Sequence, residues 1–198
     1  GRRVLIEFQG VSTVAEVYVN GSFVGEHKGA YTSFTYDITD YIDYGNVDNV
    51  IAVRVDSTER KDIPPEGLID VDFFLFGGIY RDVNMIITDP VYVDWTFLRT
   101  VPLEDDSIMV AATTKVNNKS MVPKQCKVIS DIVDADNNIV AIGESSHAIE
   151  AGSTHEFNNF TTRILEPDLW HPDDPNLYKV YTRVLIDDTD YVDEYITE

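Results

Sequence analysis

Val17-Tyr18-Val19-Asn20-Gly21-Ser22-Phe23-Val24-Gly25-Glu26-His27 reads as strand, tight turn, strand, and it decides the fold class. Valines alternate with polar or aromatic partners at the two-residue period of a pleated strand, and the pattern reaches back to Val14. Asn20-Gly21 supplies the positive φ that a two-residue hairpin turn demands. The same strand character, rich in Val, Ile, Tyr, Phe and Thr, recurs at 4–8, 50–55, 82–87, 91–98, 107–116, 127–133, 139–142 and 178–186. Turn residues separate these runs: Tyr44-Gly45-Asn46, Asp136-Asn137-Asn138 and Ala151-Gly152-Ser153. No stretch of ten or more residues is amphipathic at the helical period. Short strands with closely spaced turns predict an all-β chain of antiparallel sandwiches.

Pro90, in Thr88-Asp89-Pro90, interrupts two strand-like runs and marks a domain boundary, dividing the 198 residues into 1–88 and 89–198. The second part has the size of an immunoglobulin-like sandwich. Within it, Asp134-Ala135-Asp136-Asn137-Asn138 reads as a hairpin turn. Hydrophobic residues make up 43% of the chain, enough for a packed core. Its net charge of −20 is carried by both parts and speaks against nucleic acid or an anionic membrane as partner, since both require Lys/Arg patches. One cysteine, Cys126, rules out a disulfide within the chain. That fits a secreted bacterial protein or a cytosolic one, with the periplasm or exterior slightly favoured. No apolar run reaches the ~18 residues of a membrane span. Gly1-Arg2-Arg3 passes directly into a strand with no signal peptide, as though earlier sequence had been cut away.

The chemistry concentrates between Asp62 and Val83. Ile63-Pro64-Pro65-Glu66-Gly67 begins a stiff loop, because paired prolines restrict the backbone and donate no hydrogen bonds. Asp72-Phe73-Phe74-Leu75-Phe76-Gly77-Gly78-Ile79-Tyr80-Arg81-Asp82-Val83 then crowds aromatics, a Gly-Gly pair and charges into twelve residues. Such a loop suits a pocket wall: rings cover the C–H face of a pyranose while a carboxylate accepts from its hydroxyls. Asp72 is the foremost candidate for that contact and Asp70 a weaker one. The two stand too close in sequence for the acid/base and nucleophile pair of a glycosidase. Other residues have plainer readings. His27 is expected to be a surface or structural residue; Gly29 to Phe34, followed by Tyr36 to Ile42, is expected to be a loop leading into a short turn with Thr39 or Asp40 as candidate caps. Trp170, in Leu169-Trp170-His171-Pro172, is expected to anchor its loop by packing. The sequons at Asn20, Asn118 and Asn159 arise easily by chance. No phosphate-binding Gly loop, Cys/His metal cluster or Gly-x-Ser-x-Gly turn is present, so no cofactor or metal is expected.

Four segments together resemble the non-catalytic front end of glycoside hydrolase family 2, the β-galactosidase and β-glucuronidase family. They are Val17 to Gly21 with Val24 to His27, Tyr36-Asp37-Ile38-Thr39, Asp72 to Val83, and Leu169 to Pro172 with Pro175-Asn176-Leu177-Tyr178. The resemblance implies a jelly-roll (galactose-binding-like) sugar-binding domain over 1–88 and an immunoglobulin-like β-sandwich over 89–198. Gly77 to Val83 is more similar to the β-galactosidase branch, whereas Asp72-Phe73-Phe74 also occurs in glucuronidase-like members. The family's jelly roll begins with further strands before the equivalent of Arg2, and its (β/α)₈ barrel would follow residue 198. That barrel carries the two catalytic glutamates of the retaining mechanism, so no residue of this chain takes a catalytic role.

What carries over is Asp72, whose counterpart hydrogen-bonds the sugar and in some β-galactosidases also helps hold a monovalent cation. The implied partners are a β-galactoside and the catalytic barrel, with oligomerisation of the full-length enzyme left open. Two rivals are a free carbohydrate-binding module, whose aromatics would form an exposed platform, and a structural pair of adhesion sandwiches that binds no sugar.

Overall fold

The computed structural model describes residues 2–64, 73–188 and 190–197. Every regular element in them is a β-strand, and the chain divides into two compact units, residues 2–87 and 88–198.

The first unit contains β1 (Arg3–Phe8), β2 (Val11–Ser12), β3 (Val14–Val19), β4 (Ser22–Lys28), β5 (Phe34–Asp37), β6 (Ile51–Asp56), β7 (Gly78–Ile79) and β8 (Val83–Thr88). Three-stranded sheets β5-β1-β8 and β4-β3-β6 share one core, and β2-β7 forms a separate ribbon. Val4, Ile6 and Phe8 from β1 meet Ala15, Val17 and Val19 from β3 there, because alternate residues of each strand point to one face. The β3–β4 hairpin turns at Asn20 and Gly21, with φ of 49° and 81°. Asn20 does more than turn the chain. Its side chain accepts from Val50 N (2.9 Å) and donates to Tyr41 O (3.0 Å) and Asn49 Oδ1 (2.8 Å), pinning the entry to β6. On β8, Asn84 donates to Glu7 (2.9 Å) and so shares its face, which puts Val83, Met85 and Ile87 on the side of Val4, Ile6 and Phe8. These three remain 44%, 60% and 52% exposed.

The second unit contains β9 (Val91–Pro102), β10 (Ile108–Asn118), β11 (Lys124–Val133), β12 (Ile139–Ile149), β13 (Thr154–Phe160), β14 (Lys179–Ile186) and β15 (Asp190–Thr197). Sheet β13-β10-β9 faces sheet β12-β11-β14-β15, the three-on-four layout of an immunoglobulin-type sandwich. Asp193 on β15 accepts from Val93 N on β9 (2.8 Å), clasping one sheet to the other. Between β12 and β13, His147 and His155 stack with ring centroids 3.7 Å apart, and His155 lies edge-on to the buried Phe157. The Asp134 turn closes as its sequence requires: Asp134 Oδ1 accepts from Asp136 N and Asn138 N, and Asn137 takes a φ of 65°.

Several local expectations are corrected. Phe34 to Asp37 is strand β5, paired with β1 from Leu5↔Asp37 to Phe8↔Phe34, rather than loop. The turn after it is capped by Asp37, whose Oδ1 accepts from Thr39 N (3.0 Å) and Thr39 Oγ1 (2.6 Å). Thr39 itself accepts from Val4 N, and Asp40 plays no capping part. Trp170 is 59% exposed, too open to be the packed anchor of its loop. Its loop is held instead by paired backbone bonds between His171 and Asp174 and by the Tyr178 hydroxyl accepting from Asp168 N (2.9 Å). His27 is structural as expected, stacked on Phe34 at 4.2 Å and bonded to Thr32.

The sequon residue Asn118 is fully buried and donates to the carbonyls of Val122 and Ile149 (2.9 Å each) while accepting from Ser120 N. Asn118→Ala is therefore expected to cost about 2 kcal/mol in urea unfolding, from carbonyls left without partners. His155 makes stability depend on pH. Burial, then the neighbouring His147, holds His155 below its ordinary 6.5. The unfolded chain then binds the proton first as pH falls, so stability is full above about pH 6.5 and declines below it. A thermal-melt series from pH 7.5 to 5 should show that decline, and His155→Gln should reduce it, leaving the part due to His27, which burial also holds below its ordinary value.

Candidate functional site

The loop from Phe73 to Arg81 stands on a backbone scaffold. Ribbon β2-β7 pairs Val11 with Ile79 and Ser12 with Gly78. Ser57, just beyond β6, fastens that ribbon from outside: its hydroxyl donates to Ser12 O (2.6 Å) and accepts from Gly78 N (3.1 Å). Gly78 needs its glycine, since its φ is +81°. Tyr80 is fixed at both ends, donating from its N to Gly10 O (3.2 Å) and from its hydroxyl to Ala30 O (2.5 Å). Its ring lies so close over Gly10 that a Cβ there would sit 2.9 Å from Tyr80 Cζ and from Arg81 Cδ.

From this anchor an aromatic wall extends. Tyr80 stacks with Phe76 at 6.1 Å and meets Tyr31 edge-on at 6.4 Å; Tyr31 in turn meets Phe73 at 6.2 Å. The Arg81 guanidinium lies over the Tyr80 ring at 5.4 Å. Phe74 is 87% exposed and Phe76 62%, so the wall presents ring surface outward instead of filling a core. Beside it lies a cavity of about 110 Å³ whose lining includes Ser12, Ser57, Thr58, Arg60, Ile63 and Phe76. A site that encloses a ligand of drug size takes ~300–1,000 Å³, so this cavity accepts part of a ligand at most. Arg60 is held by Asp62 through two bonds of 2.9 Å. The hydrogen bond from Arg60 keeps the Asp62 carboxyl below the usual carboxylate range.

Asp72 and Asp70, the carboxylates singled out for sugar contact, lie outside the described residues. The structure adds Tyr31, Ser57 and Arg60 to the wall, none of which the local sequence pattern marks. A larger cavity of about 430 Å³ in the second unit is lined by Leu98, Ile108, Val110, Ile132 and Val180 with a few threonines. It holds no charged side chain, and its lining also includes Tyr178. The Cys126 thiol is buried and pushed up to about 11, chiefly by burial, which makes it a poor nucleophile. Among the described residues no group of three His, Cys, Asp or Glu side chains could hold a metal ion.

The described residues thus present a backbone-anchored aromatic wall in the first unit and an immunoglobulin-type sandwich in the second. Residues 1–90 match the sugar binding domain of glycosyl hydrolases family 2, and residues 91–198 match the domain described as glycosyl hydrolases family 2. The chain belongs to glycoside hydrolase family 2. It is 40% identical over 195 residues to a β-galactosidase of Thermoanaerobacter pseudethanolicus, a match covering 98% of this chain and 25% of that protein. It is 27% identical over 198 residues to a β-glucuronidase of Formosa agariphila, covering 93% of this chain and 20% of the relative. A crystal structure of a Bacteroides uniformis β-glucuronidase superposes with a TM-score of 0.87 at 28% identity, over 98% of this chain and 24% of that one. The chain thus spans about a quarter of the length of the relatives it matches.

Ser57→Ala removes a donor and an acceptor at once. It is expected to lower stability by about 1 kcal/mol and to speed limited proteolysis within residues 73–81, read by mass spectrometry of the nicked chain.

Proposed function

We propose that this chain is the non-catalytic front portion of a retaining family 2 glycosidase, a β-galactosidase in the leading reading. The observation that carries the choice of branch is the 40% identity to a β-galactosidase across 98% of the chain. The likeness to a β-glucuronidase fold supports β-glucuronide hydrolysis as the second reading. In either case the acid/base and nucleophile carboxylates are supplied by the catalytic barrel of the whole enzyme, the partner of this chain. The chain's contribution is a wall of the substrate pocket. Asp72 accepts hydrogen bonds from the sugar's hydroxyls, and the neighbouring rings exclude water beside it. A free carbohydrate-binding module is the reading from another class, and the exposed Phe74 and Phe76 are what would favour it.

The test uses both the isolated chain and the whole enzyme. The 198-residue chain should show no turnover of nitrophenyl β-galactoside or β-glucuronide. In the whole enzyme, Asp72→Ala should reduce kcat/KM by about one to two decades, the loss of a hydrogen bond to a charged group worth roughly 1.5–3 kcal/mol. Turnover by the isolated chain would refute the non-catalytic role. Unchanged kcat/KM would remove Asp72 from the pocket, and tight binding of oligosaccharide by the isolated chain would favour the free module.

A further inference from the structure

Midway through the second sandwich the inward side chains change character. On β10 the buried series runs Ile108, Val110, Ala112, Thr114 and Val116; on β11 it runs Cys126, Val128, Ser130 and Ile132; on β14, Val180, Thr182, Val184 and Ile186. Ser130 stands opposite Thr182 on one side and Gly143 on the other. From the facing sheet, Asn159 on β13 stands beside Ala112 and lies over Gly143. Its Oδ1 is 2.8 Å from where a Cβ on Gly143 would be. Ala112, Ser130, Gly143, Asn159 and Thr182 therefore occupy one layer. The apolar core is correspondingly two clusters, with Val116, Val128 and Val184 on one side of that layer and Val110, Ile132 and Val180 on the other.

The polar atoms of this layer have nowhere to turn within the protein. Ser130 Oγ, Thr182 Oγ1 and both side-chain atoms Nδ2 and Oδ1 of Asn159 are buried without a protein partner. Ser130 and Thr182 are fully inaccessible and Asn159 is 6% exposed. Nearly all buried polar groups in proteins are hydrogen-bonded, to protein or to ordered water. The layer contains no charged side chain, which leaves nothing to balance an ion. Ser130 stands between Val128 and Ile132, and Thr182 between Val180 and Val184, so these hydroxyls sit where the layers on each side are apolar. What fits is a small neutral molecule that both donates and accepts. Internal waters are of that kind, typically bonded to about three polar groups.

We propose that the second sandwich binds ordered water between Asn159, Ser130 and Thr182, an internal hydration site that divides its core. Asn159 Nδ2 donates to the water, and the two hydroxyls accept from it or donate to it as their rotors allow. The site explains why an amide and two hydroxyls are tolerated at the centre of a sandwich.

Two measurements on the 198-residue chain test this. Water–protein cross-relaxation in NMR should show a long-lived internal water at the Asn159 side-chain amide and at Ser130 and Thr182. Thr182→Val keeps the shape of the side chain but removes its hydroxyl. If water is bound there, the substitution takes away one of its partners, weakens the cross-peaks, and lowers the thermal midpoint by about 2–4 °C. A dry layer predicts the opposite sign, since deleting an unpaired buried hydroxyl is stabilising. Absent cross-peaks in the unsubstituted chain, or an unchanged or raised midpoint for Thr182→Val, would overturn the proposal. Should the variant fail to fold, the cross-relaxation measurement on the unsubstituted chain decides alone.

Discussion

A β-sheet has two faces, and a sandwich exists only where two apolar faces cover each other. That constraint organises both units. Val17 and Val19 have no accessible surface because β1 lies opposite them, and Val128 and Val184 are inaccessible beneath the β13-β10-β9 sheet. Burying each such side chain contributes about 1.5–3 kcal/mol, far more than any of the surface ion pairs, which are worth ~0–1 kcal/mol. The constraint also shows where cover is lacking. Val83, Met85 and Ile87 point to the apolar side of their sheet and stay wet.

Much of this was legible in the chain, and the reasons differ by element. Strands with β-branched residues on a clean alternation, such as Val14–Val19 and Lys179–Ile186, declare themselves because half their residues must be apolar. Strands β13 and β15 do not. Thr-His-Glu-Phe-Asn-Asn-Phe carries little strand propensity, and in β15 Asp193 and Glu194 interrupt the alternation of Tyr191, Val192, Tyr195, Ile196 and Thr197. They are extended because β10 and β14 offer them ladders, so tertiary pairing overrides local preference. Asp37 illustrates the same limit at a turn. Thr39, Asp40 and Asp37 are all competent caps by type, and only the geometry after β5 selects Asp37.

The candidate site divides similarly. Gly77-Gly78 and the surrounding aromatics announced an unusual loop in the sequence, and the structure gives them a ribbon, a stacked pair and an exposed wall. Ser57 and Tyr31 could not be found that way. Each is remote in sequence and ordinary in type; Ser57 acquires its role when β2, β6 and β7 are brought together, and Tyr31 when its ring meets Phe73 and Tyr80. Trp170 errs in the opposite direction. A large aromatic between prolines suggests a packed anchor, yet backbone pairing between His171 and Asp174 already closes that loop and leaves the indole outside.

The Ser57 hydroxyl gives the aromatic loop a particular evolutionary freedom. The bonds that hold the ribbon run through main-chain atoms of Ser12, Gly10 and Gly78 and through one side chain outside the loop. The side chains of Phe73, Phe74 and Phe76 make no hydrogen bond that keeps the loop in place, so they can be exchanged without unmooring it. Apart from Tyr80, whose hydroxyl donates to Ala30 O, the residues that moor the loop are not the ones it displays. What such a loop displays can change while its mooring remains the same.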